Sequence, residues 1–238
     1  MNSKLKSNNI VPIILAAGRG SRMGVLTNNK PKSFVYIGKK KRLIDQVIEN
    51  FDILGLKKIT VITGYKSNKF DQFKKINTIK NKKWKTTNIF GSLIRADKIL
   101  SKYTCIVSYA DIFYEKDAVK ILKTSKIKNG IVMLSFNNWK EYWKKRFKNP
   151  LSDLETFKTN NKNQLVEIGK RTNSYQNIKG QYMGIFKIDP NSWIKIKKHL
   201  FKNTKNLDKI DITALFQLII KKKICKIHVE NYKKKWFE

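Results

Sequence analysis

The sequence predicts an α/β fold of three layers, in which helices cover both faces of a mostly parallel central sheet. Short apolar runs typical of buried strands alternate along the chain with segments whose apolar residues recur at helical spacing. The strand-like runs are apolar almost throughout, as expected for parallel strands that are covered on both faces. The 238 residues suffice for a sizeable core, so we expect residues 1–238 to form a single domain.

The predicted elements follow one another in regular order. Buried strands are predicted at residues 10–14, 58–63, 104–109, 130–136, 181–188 and 224–229. Helices are predicted at residues 42–54, 92–100, 115–123 and 211–222. Residues 137–180 are polar and only partly patterned, and we interpret them as an irregular insertion that closes over a substrate site.

The first strand runs directly into a glycine-rich loop, which has the sequence L-A-A-G-R-G-S-R-M-G at residues 15–24. Glycines let a backbone approach a ligand closely and turn its N–H groups toward that ligand. Arg19, Arg22, Lys30 and Lys32 add positive charge to the same region. Free N–H groups beside clustered cations suit a polyphosphate.

The loop differs from two better-known phosphate-binding loops. A P-loop requires Lys and Ser or Thr after its last glycine, whereas Gly24 is followed by Val25 and Leu26. A dinucleotide fingerprint requires a third glycine where Met23 stands. The alternative is an ordinary turn between a strand and a helix with cations at its surface.

Two further segments contain side chains that could bind a metal ion or a nucleotide. Asp111 follows a buried strand, where a carboxylate can hold Mg²⁺ beside phosphates, or can cap a helix or turn. Asn88 could read a base edge with its donor and acceptor groups. Ser92 is a plausible N-cap for the helix that follows. On spacing alone, the favoured interpretation of this segment is a loop in which Trp84 merely packs.

The formal net charge of +35 raises the question of nucleic-acid binding. Of the 52 basic residues, 46 are lysines, and asparagine and isoleucine are also abundant, which a genome rich in A and T would explain. The lysines are spread along the chain without the patch of arginines and aromatics typical of a dedicated binder. We expect no specific nucleic-acid partner, although the charge should favour anionic substrates.

The sequence predicts no membrane span, because it contains no stretch of about 18 apolar residues. Met1–Gly18 has a charged start and an apolar run, but this run is short, contains Pro12 and leads into the glycine-rich loop. We therefore do not interpret it as a signal peptide, and we expect a cytoplasmic protein. The sequence leaves a homodimer open.

The string L-A-A-G-x-G-S-R-M, with K-P-K downstream, resembles the signature loop of the sugar-phosphate and choline-phosphate nucleotidyltransferase superfamily. The resemblance implies a Rossmann-like three-layer α/β/α nucleotidyltransferase fold, a nucleoside triphosphate substrate and Mg²⁺ as cofactor. It implies catalytic roles for Lys32 and Arg19 and a metal-binding role for Asp111. The nucleotide-binding positions that it implies are Leu15, Ala16, Ala17, Gly18, Gly20, Arg22, Asn88 and Ser92.

Later motifs are similar to one branch of this superfamily, the choline-phosphate and 2-aminoethylphosphonate cytidylyltransferases associated with phosphoenolpyruvate mutase. They lie at residues 149–157, 167–169, 179–184 and 211–213, so the resemblance covers nearly the whole chain. The branch implies CTP as the donor and an anionic small-molecule acceptor of the phosphocholine or 2-aminoethylphosphonate type. The residues alone do not separate CTP from UTP or GTP.

The chain departs from its relatives at the C-terminus. In relatives, a Trp-x-Glu-x-Asp segment supplies further metal carboxylates, whereas this sequence reads Trp236-Phe237-Glu238 and lacks the aspartate. Glu238 matches the glutamate. Either the sequence is shortened, or metal binding relies on Asp111, Glu238 and another carboxylate such as Asp211.

The mechanism we expect is attack by an acceptor phosphate or phosphonate oxygen on the α-phosphorus, with pyrophosphate leaving. The glycine-rich loop and Arg19 would hold the β- and γ-phosphates. Mg²⁺ on Asp111 would bridge the α-phosphate and the acceptor, while Lys32 would neutralise charge that grows on the α-phosphoryl group.

An aminoalkyl or choline acceptor requires an aromatic wall and a carboxylate. Candidates in the insertion and the following strand are Trp139, Tyr142, Trp143, Asp153, Glu155 and Tyr182. Because Trp139 and Trp143 are four residues apart, both could instead face the core of the protein. Two alternative functions stay open: a sugar-1-phosphate nucleotidyltransferase and a non-catalytic, basic nucleic-acid-binding protein.

Overall fold

The computed structural model describes residues 10–126 and 129–238. Residues 1–9, the first half of the Met1–Gly18 segment considered as a signal peptide, lie outside this description. Residues 127 and 128 of the predicted domain also lie outside it. The strands are β1 (Ile10–Ala16), β2 (Tyr36–Ile37), β3 (Lys41–Arg42), β4 (Ile59–Thr63), β5 (Ile76–Lys80), β6 (Thr104–Tyr109), β7 (Phe113–Tyr114), β8 (Gly130–Phe136), β9 (Glu155–Thr159), β10 (Leu165–Arg171), β11 (Gln181–Ile188), β12 (Lys226–Tyr232) and β13 (Trp236–Phe237). The α-helices are α1 (Leu43–Asp52), α2 (Ile89–Leu93), α3 (Asp97–Leu100), α4 (Lys116–Thr124), α5 (Trp139–Arg146), α6 (Pro190–Ile196) and α7 (Ile212–Lys221).

Seven strands form the central sheet in the order β12-β8-β11-β6-β1-β4-β5. The pairs β1–β4, β1–β6, β4–β5 and β8–β12 are parallel, and β11 alone runs antiparallel to its neighbours β6 and β8. The mostly parallel sheet predicted from the apolar runs is therefore confirmed. Because the parallel strands end at one edge, the loops after β1, β4 and β6 converge there.

Helices cover both faces of this sheet. Along β1, Ile13 and Leu15 belong to a core cluster that includes Trp193 of α6 and Phe216 of α7. Ile14 and Ala16 of the same strand belong to a second cluster with residues of α1 and α4. Alternate residues of a strand point to opposite faces, so these clusters are the two cores of a three-layer structure.

Pro12 is tolerated in β1 because of the register of this strand. It pairs with Ile106 of β6, whereas pairing with β4 begins only at Ile13. A proline lacks a donor N–H, so it is accommodated where one side of its strand has no ladder partner. The carboxyl half of β1 is then fully paired and holds the start of the glycine-rich loop in place.

Residues 137–180, the predicted insertion, contain α5 and an antiparallel hairpin of β9 and β10. The hairpin is attached to α7 by the Ile168 N–H, which donates to Gln217 Oε1 at 3.0 Å. Its turn is attached to β12 by the Val229 N–H, which donates to the carbonyl of Asn163 at 2.9 Å. These bonds place the amino end of β9 at the same edge of the sheet as the glycine-rich loop.

Several elements differ from the sequence prediction. Ser92 is not an N-cap, because α2 begins at Ile89 and Asn88 caps it by accepting from the Ile89 N–H at 2.8 Å. The sequence reading missed β5, a partly exposed edge strand, and α6, which Asp189 caps. The predicted caps and boundaries of α7 are close to those observed, since Asp211 accepts from the Ala214 N–H. Among the described residues, none of the helices has both the length and the apolar character that crossing a membrane requires.

Candidate active site

A cavity of about 350 Å³ opens where β1, β4 and β6 end, and we call it the glycine-loop cavity. It brings together all eight predicted nucleotide-binding residues with Lys32 and Asp111. Its full lining is Leu15, Ala16, Ala17, Gly18, Gly20, Arg22, Lys32, Ser33, Trp84, Thr87, Asn88, Ile89, Ser92, Ala110 and Asp111.

Gly20 allows the loop to pass over Lys32. Its φ of 73° lies in the left-handed region, and a Cβ at this position would lie 2.6 Å from Lys32 Cβ. Any larger residue would therefore displace the lysine. The buried Thr27 hydroxyl donates to the Gly20 carbonyl at 3.1 Å, which fixes the turn from the other side.

Lys32 and Asp111 form an ion pair across the cavity, with 2.9 Å between Nζ and Oδ2. Both side chains are partly exposed to the cavity. Lys32 begins a short 3₁₀ turn after Pro31, and Asp111 follows the end of β6. Lys32, predicted as a catalytic residue, and Asp111, predicted as a metal ligand, are therefore neighbours, although 79 positions separate them in the chain.

Arg19 does not line this cavity. Its guanidinium donates from Nη2 to Asn28 Oδ1 at 3.0 Å and lies 5.7 Å from the centre of the Tyr65 ring. Lys32 therefore lines the cavity and Arg19 does not, although a role on the phosphates was predicted for both. Arg22, three positions on, is the arginine of the loop that lines the cavity.

The wall opposite the loop comes from residues 84–92. Trp84 lies against the loop because position 64 is glycine, where a Cβ would be 2.6 Å from both the Ala17 carbonyl oxygen and Trp84 Cβ. Thr87 and Ser33 also line the cavity, and sequence reasoning missed both. Ser33 Oγ is buried without a hydrogen-bond partner among the described residues, and only its position beside Lys32 could have drawn attention to it.

A second hollow of about 220 Å³, the acidic pocket, lies at the same edge of the sheet. It brings together five of the predicted residues, Trp143, Asp153, Glu155, Tyr182 and Glu238. Its full lining is Tyr109, Trp143, Asp153, Glu155, Thr156, Phe157, Ile168, Gln181, Tyr182, Gly184, Thr213, Trp236 and Glu238. Of these, Tyr109, Gln181, Thr213 and Trp236 were not among the predicted acceptor residues, because they come from four different elements.

Trp139, predicted as an acceptor residue, lies outside the acidic pocket. It is buried in the core, with its ring centre 6.1 Å from that of Tyr175. Trp143 lines the pocket instead, stacked near Trp236 with 6.0 Å between ring centres and 15° between planes. The Trp143 indole N–H donates to Asp153 Oδ2 at 3.0 Å, which orients this carboxylate.

Two carboxyl groups of the pocket have shifted pKa values. Burial raises the pKa of Glu155, and the nearby Asp211 carboxylate raises it further. Burial also raises the pKa of Glu238. The positive charges of Arg146 and Lys32 lower this pKa, whereas the negative charge of Asp111 raises it. Glu238 lines the acidic pocket, and the charges of Lys32 and Asp111 in the neighbouring cavity affect its pKa.

The donor set fits a divalent cation that substrate phosphates help to hold. Mg²⁺ commonly takes one or two carboxylates and completes its shell with water and phosphate oxygens. Asp111 and Glu238 supply two carboxylates close enough to affect each other's charge. The described residues contain no group of three or more His, Cys, Asp or Glu side chains that could hold an ion alone. Asp211, the other predicted metal ligand, caps α7.

The geometry agrees with what comparison with known proteins finds. A family model described as "Nucleotidyl transferase" matches residues 11–147. The CTP:phosphoglutamine cytidylyltransferase of Campylobacter jejuni subsp. jejuni is 33% identical over 226 residues, which cover 88% of each chain.

Solved structures agree on the fold. The CTP:phosphocholine cytidylyltransferase of Streptococcus pneumoniae has a TM-score of 0.69 at 21% identity, covering 97% of this chain and 93% of that one. The inositol-1-phosphate CTP transferase of T. maritima has a TM-score of 0.74 at 17% identity, covering 96% and 88%.

Proposed function

The chain belongs to the nucleotidyl transferase family, and we propose that it transfers CMP from CTP to a phosphorylated or phosphonate small molecule, with release of pyrophosphate. The observation that carries this proposal is the cavity that gathers the glycine-rich loop, residues 84–92 and the ion pair of Lys32 and Asp111, with the acidic pocket at the same edge of the sheet. One cavity is built for a triphosphate and the other for an acceptor. CTP is the donor named for the relative that shares 33% of its residues with this chain.

In the reaction we propose, an acceptor oxygen forms a bond to the α-phosphorus, while the bond from that phosphorus to the bridging oxygen of pyrophosphate breaks. An acceptor phosphate or phosphonate is already anionic near neutral pH, so the chain need not supply a base. The residues act by positioning and by charge. The backbone of the glycine-rich loop and Arg22 would hold the phosphates, and Lys32 would neutralise charge on the α-phosphoryl group.

Asp111 and Glu238 are the residues that we propose hold Mg²⁺. The bound ion would supply positive charge beside the phosphates. Lys32 would leave its ion pair with Asp111 when it engages phosphate, and this frees the carboxylate. Arg19 would act from outside the cavity, by holding the loop through Asn28.

The acidic pocket supports an acceptor that carries an amine or ammonium group, as in phosphocholine or 2-aminoethylphosphonate. Glu155 and Asp153 provide negative charge in a chain that is otherwise strongly basic. Trp143 and Trp236 provide aromatic faces, which attract cations in partly desolvated sites.

The test is an acceptor panel scored by pyrophosphate release with CTP and Mg²⁺. We expect turnover with phosphocholine or 2-aminoethylphosphonate and none with glucose 1-phosphate. Glu155→Gln should raise the KM for the acceptor about tenfold and leave the KM for CTP unchanged, since an ionic contact is lost only in the acidic pocket. The matched control is Glu141→Gln, an exposed carboxylate on α5 outside the pocket. Turnover with the sugar phosphate alone would support the sugar-1-phosphate alternative, and release of no pyrophosphate with any acceptor would contradict the proposal.

A further inference from the structure

Behind the wall of the glycine-loop cavity lies a carboxamide that touches no cavity itself. Asn81 follows β5, and its side chain is completely buried. Its backbone N–H donates to the carbonyl of Thr63, the last residue of β4, at 2.7 Å. The backbone of Asn81 is therefore anchored to the sheet, and its carbonyl also accepts from the Trp84 N–H at 3.2 Å in the loop that follows.

The hydrogen bonds of Asn81 fix which way its carboxamide faces. One side accepts from the backbone N–H of Lys83 at 3.1 Å. A backbone N–H can only donate, so this side must be the oxygen. The amide nitrogen then faces the other way, where it donates to Thr87 Oγ1 at 2.8 Å and to Ser92 Oγ at 3.1 Å.

This orientation of the carboxamide determines where the hydroxyl protons of Thr87 and Ser92 point. Thr87 directs its own proton to the carbonyl of Lys83 at 3.0 Å. Ser92 Oγ accepts from Asn81 and has no acceptor for its own proton among the described residues. Since Ser92 lines the cavity, the direction left for its proton is toward a ligand.

We infer that Asn81 is a positioning residue that turns Ser92 into a hydrogen-bond donor to an acceptor atom of the bound nucleotide. This inference rests on the proposed function and adds a determinant of nucleotide affinity outside the cavity. Asn81→Asp tests it because the change keeps the shape but replaces the donor with an oxygen. The Ser92 proton would then turn back toward position 81, and the nucleotide would lose its donor.

The experiment measures the Kd for CTP, with UTP, GTP and ATP as comparison ligands, and kcat at saturating CTP. We expect Asn81→Asp and Ser92→Ala each to weaken CTP binding about tenfold, the effect of losing one hydrogen bond to a ligand. Combined, they should weaken it no more than about threefold beyond Ser92→Ala alone, because both remove the same contact. For Asn81→Asp we expect kcat at saturating CTP to change less than about threefold, because Asn81 is in the lining of neither cavity and its change should act on binding.

Asn50→Asp is the matched control. Asn50 is also a buried carboxamide, and it donates to the carbonyl of Tyr114 at 2.7 Å, outside both cavities. Its replacement should lower the unfolding temperature without changing the Kd for CTP. If Asn81→Asp does not fold, Asn81→Ser removes the amide donor without adding charge and takes its place.

Additive effects in the double variant, or a Kd within twofold of the unchanged chain for Asn81→Asp, would overturn the inference while leaving the proposed function intact. If none of the four nucleotides binds the unchanged chain, the proposed function and this inference fail together. Non-additive loss of affinity at unchanged kcat is the result that supports it.

Discussion

Lys32 is held by two neighbours of different kinds, the backbone of Gly20 above it and the Asp111 carboxylate beside it. We expect Lys32→Ala to lower kcat on the order of 100-fold or more, as removal of a preorganised charge in a transition state does. Steady-state pyrophosphate release would measure this. Lys30→Ala is the control, because Lys30 lies over the Tyr36 ring and not in the cavity. A loss under about threefold for Lys32→Ala would refute the role proposed for Lys32.

Ser33 allows a prediction in which stability and binding change in opposite directions. Its hydroxyl is buried in the wall of the glycine-loop cavity without a partner among the described residues. Ser33→Ala should therefore stabilise the free protein by about 1 kcal/mol, since an unsatisfied polar group is removed. The same change should weaken CTP binding severalfold.

Thermal unfolding with and without CTP would measure both effects of Ser33→Ala. A lower unfolding temperature in the absence of nucleotide would show that the hydroxyl has a partner within the free protein. An unchanged response to CTP would show that the hydroxyl does not contact the nucleotide.

At the scale of elements, the β9–β10 hairpin brings a buried carboxyl group to the acidic pocket. Burial raises the pKa of Glu155, so the folded state keeps this proton to a higher pH than the unfolded chain does. Between the two pKa values the folded state binds more protons, and the contribution of Glu155 to the free energy of unfolding falls as pH rises. Glu155→Gln removes this contribution.

The unfolding temperature of Glu155→Gln, relative to the unchanged chain, should therefore increase as pH is raised from about 4 to about 7, above the ordinary glutamate pKa of about 4.3. Paired thermal melts across this range would measure the difference. Glu141→Gln, exposed on α5, should show no such trend. A difference that stays constant with pH would contradict the raised pKa.

Strand β13 closes the acidic pocket by pairing with β7. Trp236 is 3% exposed, and its indole N–H donates to the Met183 carbonyl at 3.0 Å. We expect Trp236→Ala to lower the free energy of unfolding by about 3–5 kcal/mol, the usual range for a buried tryptophan. Urea unfolding would measure it. Phe237→Ala should cost less, because this ring is only half-buried. Equal losses for the two variants would contradict the packing described here.

The sequence predicts an element well when the signal for that element lies in its own residues. Residues 104–109, 130–136 and 181–188 were predicted as strands with the bounds that the structure has, because buried strands carry their signal in their own side chains. The edge strand β5 was missed because it is only partly buried. The helix that starts at Ile89 was predicted to start at Ser92, because Asn88 was interpreted as a base-reading residue and not as a cap.

The two cavities also differ in how far the sequence predicts them. The glycine-loop cavity could be predicted in large part because most of its residues lie in two continuous segments, at 15–33 and 84–92. The acidic pocket draws on β6, α5, the hairpin, β11, α7 and the C-terminal strand, so no local pattern could assemble it. Trp139 and Trp143 lie on one face of α5 and are both buried, as their spacing allowed, but only Trp143 also lines the pocket, and the spacing gives no basis for that distinction.

At the scale of the whole molecule, the net charge of +35 should make the protein bind RNA weakly and without sequence preference. Because such binding comes from phosphate contacts, it should fall by orders of magnitude between about 50 and about 200 mM salt. Filter binding with two unrelated RNA sequences would measure it, and Lys32→Ala should leave it unchanged. Binding that persists at high salt or that prefers one RNA sequence would contradict this expectation, and salt-sensitive binding without any pyrophosphate release would favour the nucleic-acid-binding alternative.

The two cavities are encoded by consecutive parts of the chain. The lining of the glycine-loop cavity runs from Leu15 to Asp111, and that of the acidic pocket runs from Tyr109 to Glu238. The halves that we propose bind the donor and the acceptor therefore meet at a single point in the gene, at the end of β6. Recombination there between two relatives would exchange the acceptor half and keep the donor half whole. A lineage with this arrangement can diversify the molecules it activates while its handling of the nucleotide is inherited intact.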